Sequence, residues 1–75
     1  MSHEQARGTH FVQSLERGLM VVRAFSAEQP SMTLSEVARV TDLTRAAARR
    51  FLLTLVDLGY VRTDGRLFSL TPRVL

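Results

Sequence analysis

The stretch Thr33-Leu34-Ser35-Glu36-Val37-Ala38-Arg39-Val40-Thr41-Asp42-Leu43-Thr44-Arg45-Ala46-Ala47-Ala48-Arg49-Arg50-Phe51-Leu52 decides the architecture. Thr33 and Glu36 have capping-box spacing, in which each side chain satisfies the other residue's free backbone N–H. The spacing predicts a short helix over 33–41. Leu34, Val37 and Ala38 form its inward stripe, and Val40 turns inward near its end. Thr41-Asp42-Leu43 is the only gap before the next helical run, and that turn needs a residue tolerant of positive φ. Asp42 can supply it, though less easily than Gly. Thr44 can cap a longer helix over 44–58, in which three alanines raise helix propensity. Ala48, Phe51, Leu52, Leu55 and Leu58 lie on one side of it, and Gly59 stops it. Two short helices joined by about three or four residues are the helix-turn-helix signature.

Outward from this core, Leu15, Leu19, Val22 and Phe25 recur at helical spacing beside Gly18, predicting a first helix over 14–26 with Ser14 as its N-cap. Ala27-Glu28-Gln29-Pro30-Ser31 breaks that pattern. On the other side, Tyr60-Val61-Arg62 and Leu67-Phe68-Ser69 flank Thr63-Asp64-Gly65-Arg66. An Asp-Gly pair between two short β-prone runs predicts a hairpin. Thr71-Pro72 looks like an N-cap with Pro at the first helical position. The expected fold is therefore mostly α with a small β-hairpin. It is a winged helix-turn-helix of three helices and a two-stranded wing, ending at the start of a linker helix.

The whole chain sets limits. Its 75 residues make one small domain, with a modest core that needs a partner or well-packed helices for stability. There is no cysteine, which excludes disulfides and thiolate metal sites and fits a cytoplasmic protein. No run approaches the roughly 20 apolar residues of a membrane span. Residues 1–10 are polar and read as a disordered leader, 11–71 as the winged domain and 72–75 as the start of the linker helix. The net charge is +3, and all ten cations are Arg. Arg suits phosphates and the guanine edge; a GC-rich genome gives the same bias.

Four features carry chemistry. Thr44 to Arg50 holds three Arg and no acid. The second helix of a helix-turn-helix enters the major groove and touches bases with its N-terminal residues, so Thr44, Arg45, Ala46, Ala47, Arg49 and Arg50 are the candidate groove residues. The alanines allow close approach, and their methyls can pack on thymine. A solvated helix face is the plainer explanation of the charge. Second, Arg62 and Arg66 in the wing can meet the backbone or the minor groove, or simply guard an edge strand. Third, Thr33 and Ser35 can donate to a phosphate, because the first helix of the motif crosses the backbone; Thr33 also serves as a cap. Fourth, Phe11, Val12 and Met20, with Val21, exceed what the first helical stripe accommodates. They suit either a homodimer interface or a wide core stripe. His3 and His10 have no Cys or carboxylate at ligand spacing, the acids are scattered, and no nucleophile has a base, so neither an enzyme nor a metal site or cofactor is expected.

With these residues in view, the chain resembles the IclR family of bacterial transcription regulators. The resemblance rests on Phe11 to Leu19, Thr33 to Ala38, Thr44 to Leu55 and Gly59-Tyr60-Val61, and covers about residues 11–75. The Ala46 to Leu52 run and Leu70 to Leu75 look most like the branch that regulates aromatic-acid catabolism through protocatechuate and the β-ketoadipate pathway. The resemblance implies a repressor or activator that binds a pseudo-palindromic double-stranded DNA operator as a dimer. It also implies a C-terminal domain that binds a small-molecule effector, which is expected to be absent here, as in a truncated chain. The family often has Gly where Asp42 stands. Two rivals remain: a winged helix used only for protein–protein contact, and an RNA-binding winged domain.

Overall fold

The structure, a computed structural model, describes residues 8–74. The expected leader therefore falls largely outside the described residues, as do His3 and Leu75. Helix α1 runs Gln13–Ala24, strand β1 Ser31–Thr33, helix α2 Leu34–Thr41, helix α3 Arg45–Leu58, strand β2 Val61–Thr63 and strand β3 Leu67–Leu70, followed by a 3-10 turn over Pro72–Val74.

The two central helices begin and end as their sequences dictate. Thr33 caps α2 through a complete capping box: the Glu36 N–H donates to Thr33 Oγ1 (3.2 Å) and the Thr33 N–H donates to Glu36 Oε1 (2.8 Å). Thr44 caps α3, with its Oγ1 accepting from the Ala47 N–H at 3.1 Å. Both helices end in the same 6→1 pattern. The Leu43 N–H reaches Ala38 O at 3.0 Å and the Tyr60 N–H reaches Leu55 O at 2.9 Å. Each needs a left-handed residue. Gly59 supplies one at φ 87°, and Asp42 supplies the other at φ 58°, ψ 32°. The turn therefore keeps its geometry without glycine.

The strands form one antiparallel sheet of order β1-β3-β2. Met32 pairs with Phe68 and Arg62 with Ser69. The expected hairpin is present as β2 and β3, and β1 adds a third strand to its sheet. The sequence reading treated Pro30-Ser31 as a simple break, yet Ser31–Thr33 pairs with β3 and buries Met32 completely. A strand of three residues carries too little alternation to stand out. At the wing tip, Asp64 Oδ1 accepts from the N–H groups of Arg66 (2.9 Å) and Leu67 (2.8 Å), and Gly65 takes φ 99°.

Val21, Met32, Val37, Ala48 and Leu52 are fully buried at the centre, with Phe25, Ala38, Val61 and Phe68 around them. The buried Thr41 hydroxyl donates to Val37 O at 2.7 Å, so it adds no unpaired polar group. Several expectations are corrected here. Helix α1 starts at Gln13 and ends at Ala24, and its N-cap is Val12, without a side-chain bond; Ser14 lies inside the helix. Leu15 and Leu19 are 62% and 45% exposed rather than core. Phe25 is buried as expected, but the rest of the inward face is Val21 with Gly18, which lies against the Phe51 ring. Val21 also falls at helical spacing from Gly18 and Phe25, so periodicity alone did not separate it from Leu15 and Leu19. Val40 (50% exposed) and Leu58 (58%) face outward, because Val37 and Ala38 already set the inward side of α2 and Leu52 and Ala48 that of α3.

Candidate nucleic-acid interface

Helix α3 is held from one side only. Ala48 and Leu52 are buried, and Phe51, Leu55 and Val56 pack partly against the core. The helical period then turns Arg45, Ala46, Arg49 and Arg50 to solvent, together with Thr44, while Ala47 is half-buried at the edge. None of the three guanidinium groups has a hydrogen-bond or ion-pair partner among the described residues. The first turn of α3 contains no acid, and Asp57 is the first one along the helix. This face therefore combines unneutralised positive charge with the positive end of the helix dipole.

The other predicted residues fall into separate places. Thr33 is half-buried and its hydroxyl oxygen accepts in the capping box, which leaves its O–H able to donate; Ser35 beside it is exposed. Glu36 is held below the usual carboxylate range, first by the Thr33 backbone N–H and more weakly by Arg39 and Arg66. The pairing of Thr33 with Leu67 brings Arg66, the residue just before β3, toward the start of α2. Asp64 is also held below its ordinary value, by the backbone N–H groups of Leu67 and Arg66. Arg62 is exposed in β2, in register with Ser69, so the two wing arginines do not share one position.

Val12 and Met20 are exposed, and Phe11 is half-buried. With Leu15 and Leu19 they line a shallow apolar groove of about 450 Å³ along α1. Sequence reasoning missed Leu15 and Leu19 here, because it had assigned them to the core. Among the described residues, no group of three or more His, Cys, Asp or Glu side chains is placed to hold a metal. Nor, among those residues, is any helix long and apolar enough to cross a membrane.

Known proteins resemble this chain in sequence and fold. Residues 14–65 match the IclR helix-turn-helix domain. The chain is 46% identical over 65 residues to the Pca regulon regulatory protein of Pseudomonas putida, covering 87% of this chain and 22% of that protein. It is 40% identical over 74 residues to the p-hydroxybenzoate hydroxylase transcriptional activator of Acinetobacter baylyi, covering 99% of this chain and 27% of that protein. The crystal structure of an IclR family transcriptional regulator from Brucella abortus superposes with a TM-score of 0.87 at 32% identity, covering 100% of this chain and 30% of that one. The chain thus spans about a quarter of the length of these relatives.

Proposed function

The chain belongs to the IclR family of transcription regulators, and from that premise we propose that it binds double-stranded DNA in a sequence-specific way. Helix α3 enters the major groove. Arg45, Arg49 and Arg50 meet base edges or the flanking phosphates, and Ala46 and Ala47 allow close approach. The observation that carries this reading is the set of three unpartnered arginines on one solvent-facing end of a well-capped helix. Thr33, Ser35, Arg62 and Arg66 add contacts to the duplex backbone around it. A module for protein contact alone has no need of that charge. The names of the relatives, a Pca regulon regulator and a p-hydroxybenzoate hydroxylase activator, support control of genes for aromatic-compound catabolism.

The homodimer belongs to the same proposal. A two-fold pair of domains places two recognition helices on half-sites about one DNA turn apart. The apolar row along α1 and the residues just before it, with Val12, Leu15, Leu19 and Met20 exposed and Phe11 half-buried, is the surface for it. Effector binding falls to the part of the relatives' length that this chain does not span, and the site of action is the cytoplasm, where the DNA is. Selection of binding sites from random duplex DNA tests the reading. A two-fold symmetric motif is the expected product; retention of no duplex at low salt, or equal capture of every sequence, contradicts it.

A further inference from the structure

Ser31, Ser69 and Arg62 stand side by side on the sheet, one from each strand, with Ser31 opposite Ser69 and Ser69 opposite Arg62. Neighbouring strands lie about 4.8 Å apart, so the three form a row about 10 Å long. Met32, Phe68 and Val61 occupy the alternate positions and are buried against the helices. The two-residue period of a strand therefore turns the row to the opposite, solvent face. Ser69 is half-buried at its centre, and Ser31 and Arg62 are exposed at its ends.

The guanidinium and both hydroxyls lack a hydrogen-bond or ion-pair partner among the described residues. Shallow hollows of about 260 and 280 Å³ flank the row, one bounded by Asp64 and Leu67, the other by Phe25 and Pro30. Arg offers donors only, and each hydroxyl can donate. Such a set suits an oxyanion and repels a cation. Asp64 lies at the rim, with its Oδ1 committed to two backbone N–H groups. Guarding an edge strand would need Arg62 alone, without two open hydroxyls in register beside it.

We infer that Arg62, Ser69 and Ser31 form a seat for a phosphate oxyanion, supplied by the backbone of the bound duplex. The identity of the source rests on the DNA-binding reading; the seat itself does not. The first arm of the test titrates a labelled, selected duplex at several salt concentrations with the unaltered chain, Arg62→Gln, Ser69→Ala and the double variant. Arg62→Gln should lower the salt slope by about one. Ser69→Ala should weaken binding about threefold, and the double variant should bind no more weakly than Arg62→Gln. Thermal unfolding checks that each variant still folds.

The second arm adds inorganic phosphate and follows the backbone amide signals of Ser31, Arg62 and Ser69. Shifts in those signals, with duplex affinity unaffected by the variants, assign the seat to free phosphate and refute the duplex as its source. No shift and no change in affinity or salt slope overturn the proposal. If the unaltered chain binds no duplex, the DNA reading itself fails and the phosphate arm alone decides the seat.

Discussion

Thr71 reaches back across twelve residues to Gly59: its hydroxyl donates to the Gly59 carbonyl at 2.6 Å, and its N–H donates to Tyr60 O at 2.9 Å. The end of α3 is thereby tied to the point where the chain leaves the sheet. Arg73 closes over the same place, since a Cβ on Gly59 would sit 3.0 Å from its Nε. Thr71→Val should cost about 1 kcal/mol in chemical denaturation, because a half-buried carbonyl loses its partner. Gly59→Ala should cost at least as much, from the strain of φ 87° added to that close approach. A Gly59→Ala variant as stable as the parent would contradict this geometry.

Asp42 gives the opposite case. It holds a left-handed conformation that only Gly adopts freely. Asp42→Gly should therefore leave stability unchanged or raise it by up to about 1 kcal/mol, and Asp42→Val should lower it by a similar amount or more. In denaturant titrations the Asp42→Gly midpoint should stay at or above that of the unaltered chain and the Asp42→Val midpoint should fall below it; a fall in Asp42→Gly or none in Asp42→Val contradicts the assignment.

Glu36 and Asp64 make stability depend on acid. Both carboxyls bind protons more weakly in the folded chain than their ordinary values of 4.5 and 3.8, because backbone N–H groups stabilise the anions. The unfolded chain then takes up more protons, so stability rises with pH across this range. The contribution is present in full above those ordinary values and is lost as pH falls through the lower folded ones. Asp64→Asn and Glu36→Gln should each flatten the acid limb of a plot of unfolding midpoint against pH, with no change in its neutral plateau attributable to titration.

The proposed homodimer surface on α1 gives a test that separates association from folding. Leu19→Asp should leave the unfolding midpoint of the monomer nearly unchanged, since Leu19 is largely outside the core. It should abolish the dimer in sedimentation equilibrium. Val21→Ala should instead cost about 1–3 kcal/mol, because that side chain is fully buried. A Leu19→Asp variant that still sediments as a dimer removes α1 from the interface.

The parts of the fold legible in the sequence are those fixed by local chemistry. Thr33 with Glu36, Thr44, Asp42, Gly59 and the Asp64-Gly65 turn act within a few residues of themselves, and each stands where its residue type requires. What stayed hidden depends on tertiary choice. Two overlapping apolar stripes on α1 compete for the inside, and packing of Val21 and Phe25 into the common core, with Gly18 against Phe51, selects one of them. Strand β1 exists because β3 lies beside it, which three residues cannot announce. The outward arginines of α3 were legible because Ala48 and Leu52 fix the inner face unambiguously. Ser31 and Ser69 were not, because their meaning comes from cross-strand register with Arg62.

The most direct measurement compares the unaltered chain with Arg45→Ala on a selected duplex and on versions with single base changes, by fluorescence anisotropy at fixed salt. The variant should lose about 1–3 kcal/mol of affinity and discriminate less among bases at one half-site position. Equal affinity and unchanged base preference in the two proteins would contradict the assignment of the solvent-facing end of α3 as the reading surface.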